Sequence, residues 1–167
     1  ANRIQKLNNH DYQPNACTPL YDAMGISLTR LKEEVKDEDN VLVTIITDGC
    51  ENASHEYSGK AIALLIEELK AKGWIFVYIG ANQDVEKVAA SMGIRNSLCF
   101  ESDAEGTREM FKIESESRDA LYCCLGENIH ARQLSDREYF KGTKTKKVTK
   151  DASKKQEEKK KNKWWPF

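Results

Sequence analysis

Two short segments hold the side chains best suited to binding chemistry. One is Ala16-Cys17-Thr18-Pro19-Leu20-Tyr21-Asp22-Ala23, the other Thr47-Asp48-Gly49. The Thr18 hydroxyl and the Asp48 carboxylate are hard oxygen donors of the kind that suit Mg2+, an ion that takes six oxygens in octahedral geometry and keeps several waters. Each segment also has an ordinary reading. Asp-Gly is a common turn dipeptide, and Thr18 before Pro19 has the form of a helix cap followed by the position where a missing N–H costs nothing. Residue types alone leave both readings open.

The elements that must position these residues read clearly. Val41–Ile46 is an uncharged, β-branched run, the pattern of a strand buried on both faces at the centre of a parallel sheet. Asp48 then falls just beyond the strand's carboxyl end, where open α/β sheets place their ligands. Leu20, Met24, Leu28, Leu31 and Val35 mark one helix face before it, and Ile62, Leu65, Ile66 and Leu69 mark another after it, stopped at Gly73. Trp74–Ile79 is the next strand, and strand, helix, strand at these lengths is a right-handed βαβ unit. Gln83 or Asp84 opens a short helix closed by Gly93, and Ser97–Phe100 is a third parallel strand. Ser102-Asp103-Ala104-Glu105 has the form of a capping box and starts a helix to about Cys124. Arg3–Leu7 is at most an edge strand, and Asn8–Asn15 is a turn-rich loop.

The pairing of Thr18-Pro19-Leu20-Tyr21-Asp22-Ala23 with a later strand that ends in Thr47-Asp48-Gly49 resembles the von Willebrand factor A domain. Tyr78-Ile79-Gly80-Ala81-Asn82-Gln83-Asp84 is similar to the next strand and loop of that family's intracellular bacterial or phage branch. The resemblance covers roughly the first three quarters of the chain. It implies a doubly wound, mostly parallel sheet over residues 1–128, followed by a charged tail over 129–167. It also implies a metal-ion-dependent adhesion site, in which Mg2+ binds an acidic residue of a protein partner. Thr18 would be a direct ligand, Asp48 a ligand directly or through water, and Glu51, Asn52 and Ser54 the rim. The family's Asp-x-Ser-x-Ser motif has no counterpart before Thr18, where only Asn8, Asn9, His10 and Asp11 stand. The domain therefore reads as N-terminally incomplete, with a partial metal site and with Val41–Ile46 left as an uncharged edge. Such an edge invites a completing strand or a second copy. A metal-independent scaffold assembling through that edge is the alternative function.

Composition bounds the rest. With 167 residues, 40% hydrophobic and 32% charged, and a mean hydropathy of −0.68, the chain suits one domain with a polar appendage. The net charge of −1 conceals an asymmetry: residues 141–167 hold 11 basic and three acidic residues, while residues 1–140 hold 15 basic and 24 acidic. The lysine-rich tail cannot bury a core and reads as disordered. Its end, Trp164-Trp165-Pro166-Phe167, suits docking to a protein, a nucleic acid or an anionic membrane. Five cysteines without Cys-x-x-Cys spacing argue for free thiols in a reducing cytoplasm, although Cys17 and Cys50 each adjoin half of the metal site. Asp22 suits a structural role at the positive end of its helix. His10, His55 and His130 share no ligand spacing. No apolar run reaches the ~20 residues of a membrane span, and no signal-peptide pattern opens the chain. No Gly-x-Ser-x-Gly elbow, Walker loop or dinucleotide loop is present, so a hydrolase is the lesser reading and a non-enzymatic binding module the main one.

Overall fold

The computed structural model describes Asn8 and residues 17–81, 84–126 and 139–140. Seven elements follow in chain order: α1 (Leu20–Glu34), β1 (Leu42–Thr47), α2 (Gly59–Ala71), β2 (Ile75–Ala81), α3 (Val85–Ser91), β3 (Asn96–Phe100) and α4 (Ala104–Gly126). The three strands are parallel and ordered β1-β2-β3, with Leu42 opposite Ile75 and Val77 opposite Asn96 at the start of each ladder. The molecule is thus a mixed α/β structure on an open parallel sheet, the arrangement of Rossmann-like folds. No helix among the described residues is long and apolar enough to cross a membrane.

Alternation along β2 divides the core in two, because successive side chains of a strand point to opposite faces. Phe76 and Tyr78 pack with Leu28 of α1, Ile62 and Ile66 of α2 and Ala89 of α3. Val77 and Ile79 face the other way, onto Met110 of α4. All seven residues of β2 are buried. Helices therefore cover both faces, α1 to α3 on one and α4 on the other.

The central strand is β2, not Val41–Ile46 as its composition suggests, and among the described residues β1 stands at the edge, as the N-terminally incomplete reading expects. Among the described residues β1 has one neighbour, and its first three residues are only half-buried while Ile46 is 46% exposed. Both runs are uncharged and β-branched, so composition cannot rank them. Chain direction can: α2 and α3 lie on one face, so successive right-handed crossovers step the same way and leave the first strand at the edge.

Helix ends follow local chemistry. Gly73 (φ 94°) and Gly93 (φ 75°) take the left-handed conformation that glycine adopts without steric cost. The N–H of Trp74 reaches Leu69 O and that of Gly73 reaches Lys70 O, and Ile94 and Gly93 repeat the pattern at the end of α3, so two Schellman motifs stop these helices where the sequence predicts. At α4 the cap is Asp103, whose carboxylate accepts from Gly106 N–H at 2.7 Å.

After α4 the chain returns to the core at Tyr139 and Phe140, beyond the boundary at residue 128. The buried Asn96 accepts the Tyr139 N–H at 2.8 Å and donates to Phe76 O at 3.4 Å. The Tyr139 hydroxyl meets Glu114 Oε1 at 3.4 Å, and burial, with that carboxylate beside it, pushes the phenol well above its usual range. Arg118 pairs with Glu114 at 3.1 Å.

Candidate functional site

The loop that leads into α1 and the loop that follows β1 meet at the carboxyl end of the sheet. Thr18 is the hinge of that meeting. A Cβ placed on Gly49 would stand 2.7 Å from Thr18 Oγ1, so the absence of a side chain at Gly49 lets the hydroxyl approach the Thr47-Asp48-Gly49 turn. The main chain locks the approach: Asn52 N–H donates to Thr18 O at 3.2 Å, and Asn52 Oδ1 accepts from Thr18 N–H at 2.7 Å. The buried Thr47 hydroxyl tightens the turn by donating to Gly49 O at 2.9 Å. Asp48 is exposed at its tip.

Thr18 does not cap α1. The residue flanking the helix is Pro19, and no side chain of the local sequence closes the first turn. The cap comes from the other loop. Glu51 Oε2 accepts from Tyr21 N–H at 2.9 Å, and Ser54 Oγ accepts from Asp22 N–H at 3.1 Å. A carboxylate at the amino end of a helix satisfies a free donor and complements the dipole.

Glu51 also accepts from the N–H groups of Ala53 and Ser54 at 2.9 and 2.8 Å and from Ser54 Oγ at 2.7 Å. Burial pushes its carboxyl up, but the hydrogen bonds from Tyr21 and Ser54, with that from Ala53, outweigh it and hold the group below its ordinary range. Asp22 makes the return contact. Its carboxylate accepts from the N–H groups of His55, Glu56 and Tyr57 at 2.8, 2.9 and 2.8 Å. The His55 bond is the largest cause of its lowered pKa, with desolvation opposing and the Tyr57 and Glu56 bonds adding. The two loops thus exchange carboxylates, each serving the other's backbone.

Close packing completes the junction. The Tyr57 ring lies over Gly25, where a Cβ would come within 2.3 Å of it, and the Tyr21 ring lies 3.2 Å from the corresponding position of Gly59. Glu51, Asn52 and Ser54, assigned to a partner-binding rim, all spend side-chain atoms on this junction. The cross-loop contacts of Glu51 and Asp22 had no local signal, since those partners lie 30 or more residues away in sequence.

The fold brings Thr18 and the Asp48 turn together. Their hydroxyl and carboxylate oxygens fit Mg2+ in kind, and they are two donors for an ion that takes six. Among the described residues no group of three or more His, Cys, Asp and Glu side chains is placed to hold a metal ion. Cys17 and Cys50 flank the contact and are exposed free thiols. His55 is exposed and uses its main-chain N–H on Asp22, while His10 and His130 lie outside the described residues. The larger hollows are elsewhere. One of about 560 Å3 runs between β1 and the last turns of α4. Compared with protein-family models, with curated proteins and with solved structures, the chain gives no match.

Proposed function

We propose that the chain is a non-enzymatic, von Willebrand factor A-like binding module of the cytoplasm, with a doubly wound sheet and part of a metal-ion-dependent adhesion site. The observation that supports this reading is the approach of Thr18 Oγ1 to the Thr47-Asp48-Gly49 turn at the carboxyl end of a parallel strand. Thr18 and Asp48 would hold Mg2+. The bound ion would supply the positive charge that attracts an acidic group of a protein partner. The chain's own residues do the positioning: Asn52 fixes the main chain of Thr18, Thr47 shapes the turn that presents Asp48, and Glu51, Ser54 and Asp22 keep the two loops in register. Two side-chain donors imply weak metal binding until further oxygens are added.

Thermal unfolding in ~10 mM Mg2+ and in EDTA tests this, since a ligand bound only by the folded state raises the midpoint in proportion to RT ln(1 + [L]/Kd). A metal-dependent rise of roughly one to three degrees, removed by Asp48→Ala and by Thr18→Ala, is the expected outcome. Equal midpoints in Mg2+ and EDTA would sink the metal-dependent reading. The edge of β1, unpaired on one side among the described residues, favours a second reading, a metal-independent scaffold that assembles through added strands.

A further inference from the structure

The hollow beside β1 differs in character from the Thr18–Asp48 junction. Its walls are Val35, Val41 and Leu42 on one side and Leu121, Tyr122 and Leu125 on the other, and Tyr122 is 57% exposed. Asp39 also lines the hollow, in a segment that carries Glu33, Glu34, Asp37 and Glu38 against the single base Lys36, all exposed. The groove is therefore a slot with apolar walls, polar at Asn40, Thr44 and the Glu114–Arg118 ion pair, and with an acidic lip. Its complement is a short run of bulky apolar side chains joined to a cluster of bases.

The chain contains that complement. Lys159, Lys160, Lys161 and Lys163 lead directly into Trp164-Trp165-Pro166-Phe167. Phe140, like Leu42 and Leu121 of the groove, packs against the buried cluster on the α4 face of the sheet. The 23 residues from Lys141 to Lys163 can extend up to ~3.3 Å each. That reach far exceeds the roughly 10 Å across two strand spacings that separates β3 from β1.

We infer that the Trp164–Phe167 end docks in cis in the groove between β1 and α4, with the preceding lysines over the acidic lip. Docking there buries aromatic area that dominates interface energetics, while the charges across the lip set orientation more than affinity. The docked end lies alongside the open edge of β1, so it also competes with any strand that would add there. This inference does not depend on the metal site.

Hydrogen exchange read by mass spectrometry on the full chain tests it. The comparison is with Trp164→Ala/Trp165→Ala/Phe167→Ala, which alters no residue of the folded body. Loss of the docked end should speed exchange roughly tenfold in peptides covering residues 38–44 and 118–126 and leave residues 59–71 unchanged. Leu125→Glu in the intact chain should reproduce the effect locally, and raised salt should weaken protection in the parent chain. Unchanged exchange in the triple variant would overturn the inference and return the tail to docking on another molecule. Protection that disappears on dilution would overturn it as well, because the groove would then hold the tail of a second copy.

Discussion

At the scale of single residues, the junction between the two loops rests on carboxylates that have exchanged water for backbone N–H groups. Glu51 and Asp22 both have folded-state pKa values below their ordinary 4.5 and 3.8. A depressed carboxyl pKa contributes stability that is fully present above the unfolded value and is lost as pH falls through the folded one. The melting temperature should therefore hold steady near neutral pH and fall as pH drops below about 4.5. In Glu51→Gln/Asp22→Asn this fall should be shallower and the neutral-pH stability lower. Calorimetry across pH 7 to 3 checks both, and an identical pH profile for the variant would contradict the assignment. Glu51→Ala at neutral pH should cost about 1–3 kcal/mol, since it strips charge-assisted bonds and leaves the Tyr21 N–H of α1 without its acceptor.

At the scale of elements, glycines serve two distinct purposes here, and substitution separates them. Gly25 lies inside α1, where alanine would gain about 1 kcal/mol of helix propensity. Its Cβ would stand 2.3 Å from the Tyr57 ring, however, so α1 and the β1–α2 loop would have to part. Overpacking of that kind costs about 1–3 kcal/mol, so Gly25→Ala should be destabilising in net. Gly93 has φ 75° and open space around its Cβ position. Gly93→Ala should lose about 1–2 kcal/mol through backbone strain alone, without disturbing its neighbours. Denaturant unfolding ranks the two, and exchange rates in the 51–57 loop should rise for Gly25→Ala only.

At the scale of the whole molecule, a three-stranded parallel sheet with helices on both faces leaves β1 as a boundary among the described residues. Parallel sheets are normally enclosed, and natural edges carry charges, prolines or bulges. Residues 41–47 carry neither charge nor proline, and Ile46 projects from the edge strand nearly half exposed. Ile46→Lys should leave the melting temperature within a degree or two, because a surface site is changed, while reducing any self-association of the chain. Sedimentation velocity over a hundredfold concentration range reads this out. Association that Ile46→Lys leaves intact would place the assembling surface elsewhere. The body is acidic over residues 1–140 and the tail basic over 141–167, so attraction between them should also weaken with salt.

The sequence by itself determined what is local. Apolar patterns located α1, α2 and the strands β1 to β3, because burial on one face of a helix or in the middle of a sheet demands them, while start and stop residues located α3 and the start of α4. Gly73 and Gly93 marked two helix ends because only a residue without Cβ takes that conformation freely. The motif residues Thr18 and Thr47-Asp48-Gly49 were legible as types, and their adjacency followed from the order of the elements. Three features were decided by the tertiary structure alone. The order β1-β2-β3 made β2 the central strand, since chain direction rather than composition ranks equally apolar strands. Thr18 turned toward Gly49 and left the capping of α1 to Glu51 and Ser54, because a free helix donor accepts any carboxylate the fold delivers, from whatever distance in sequence. The groove between β1 and α4 arose where two elements far apart in the chain meet without filling the space between them, and no single segment carries the sign of such a surface.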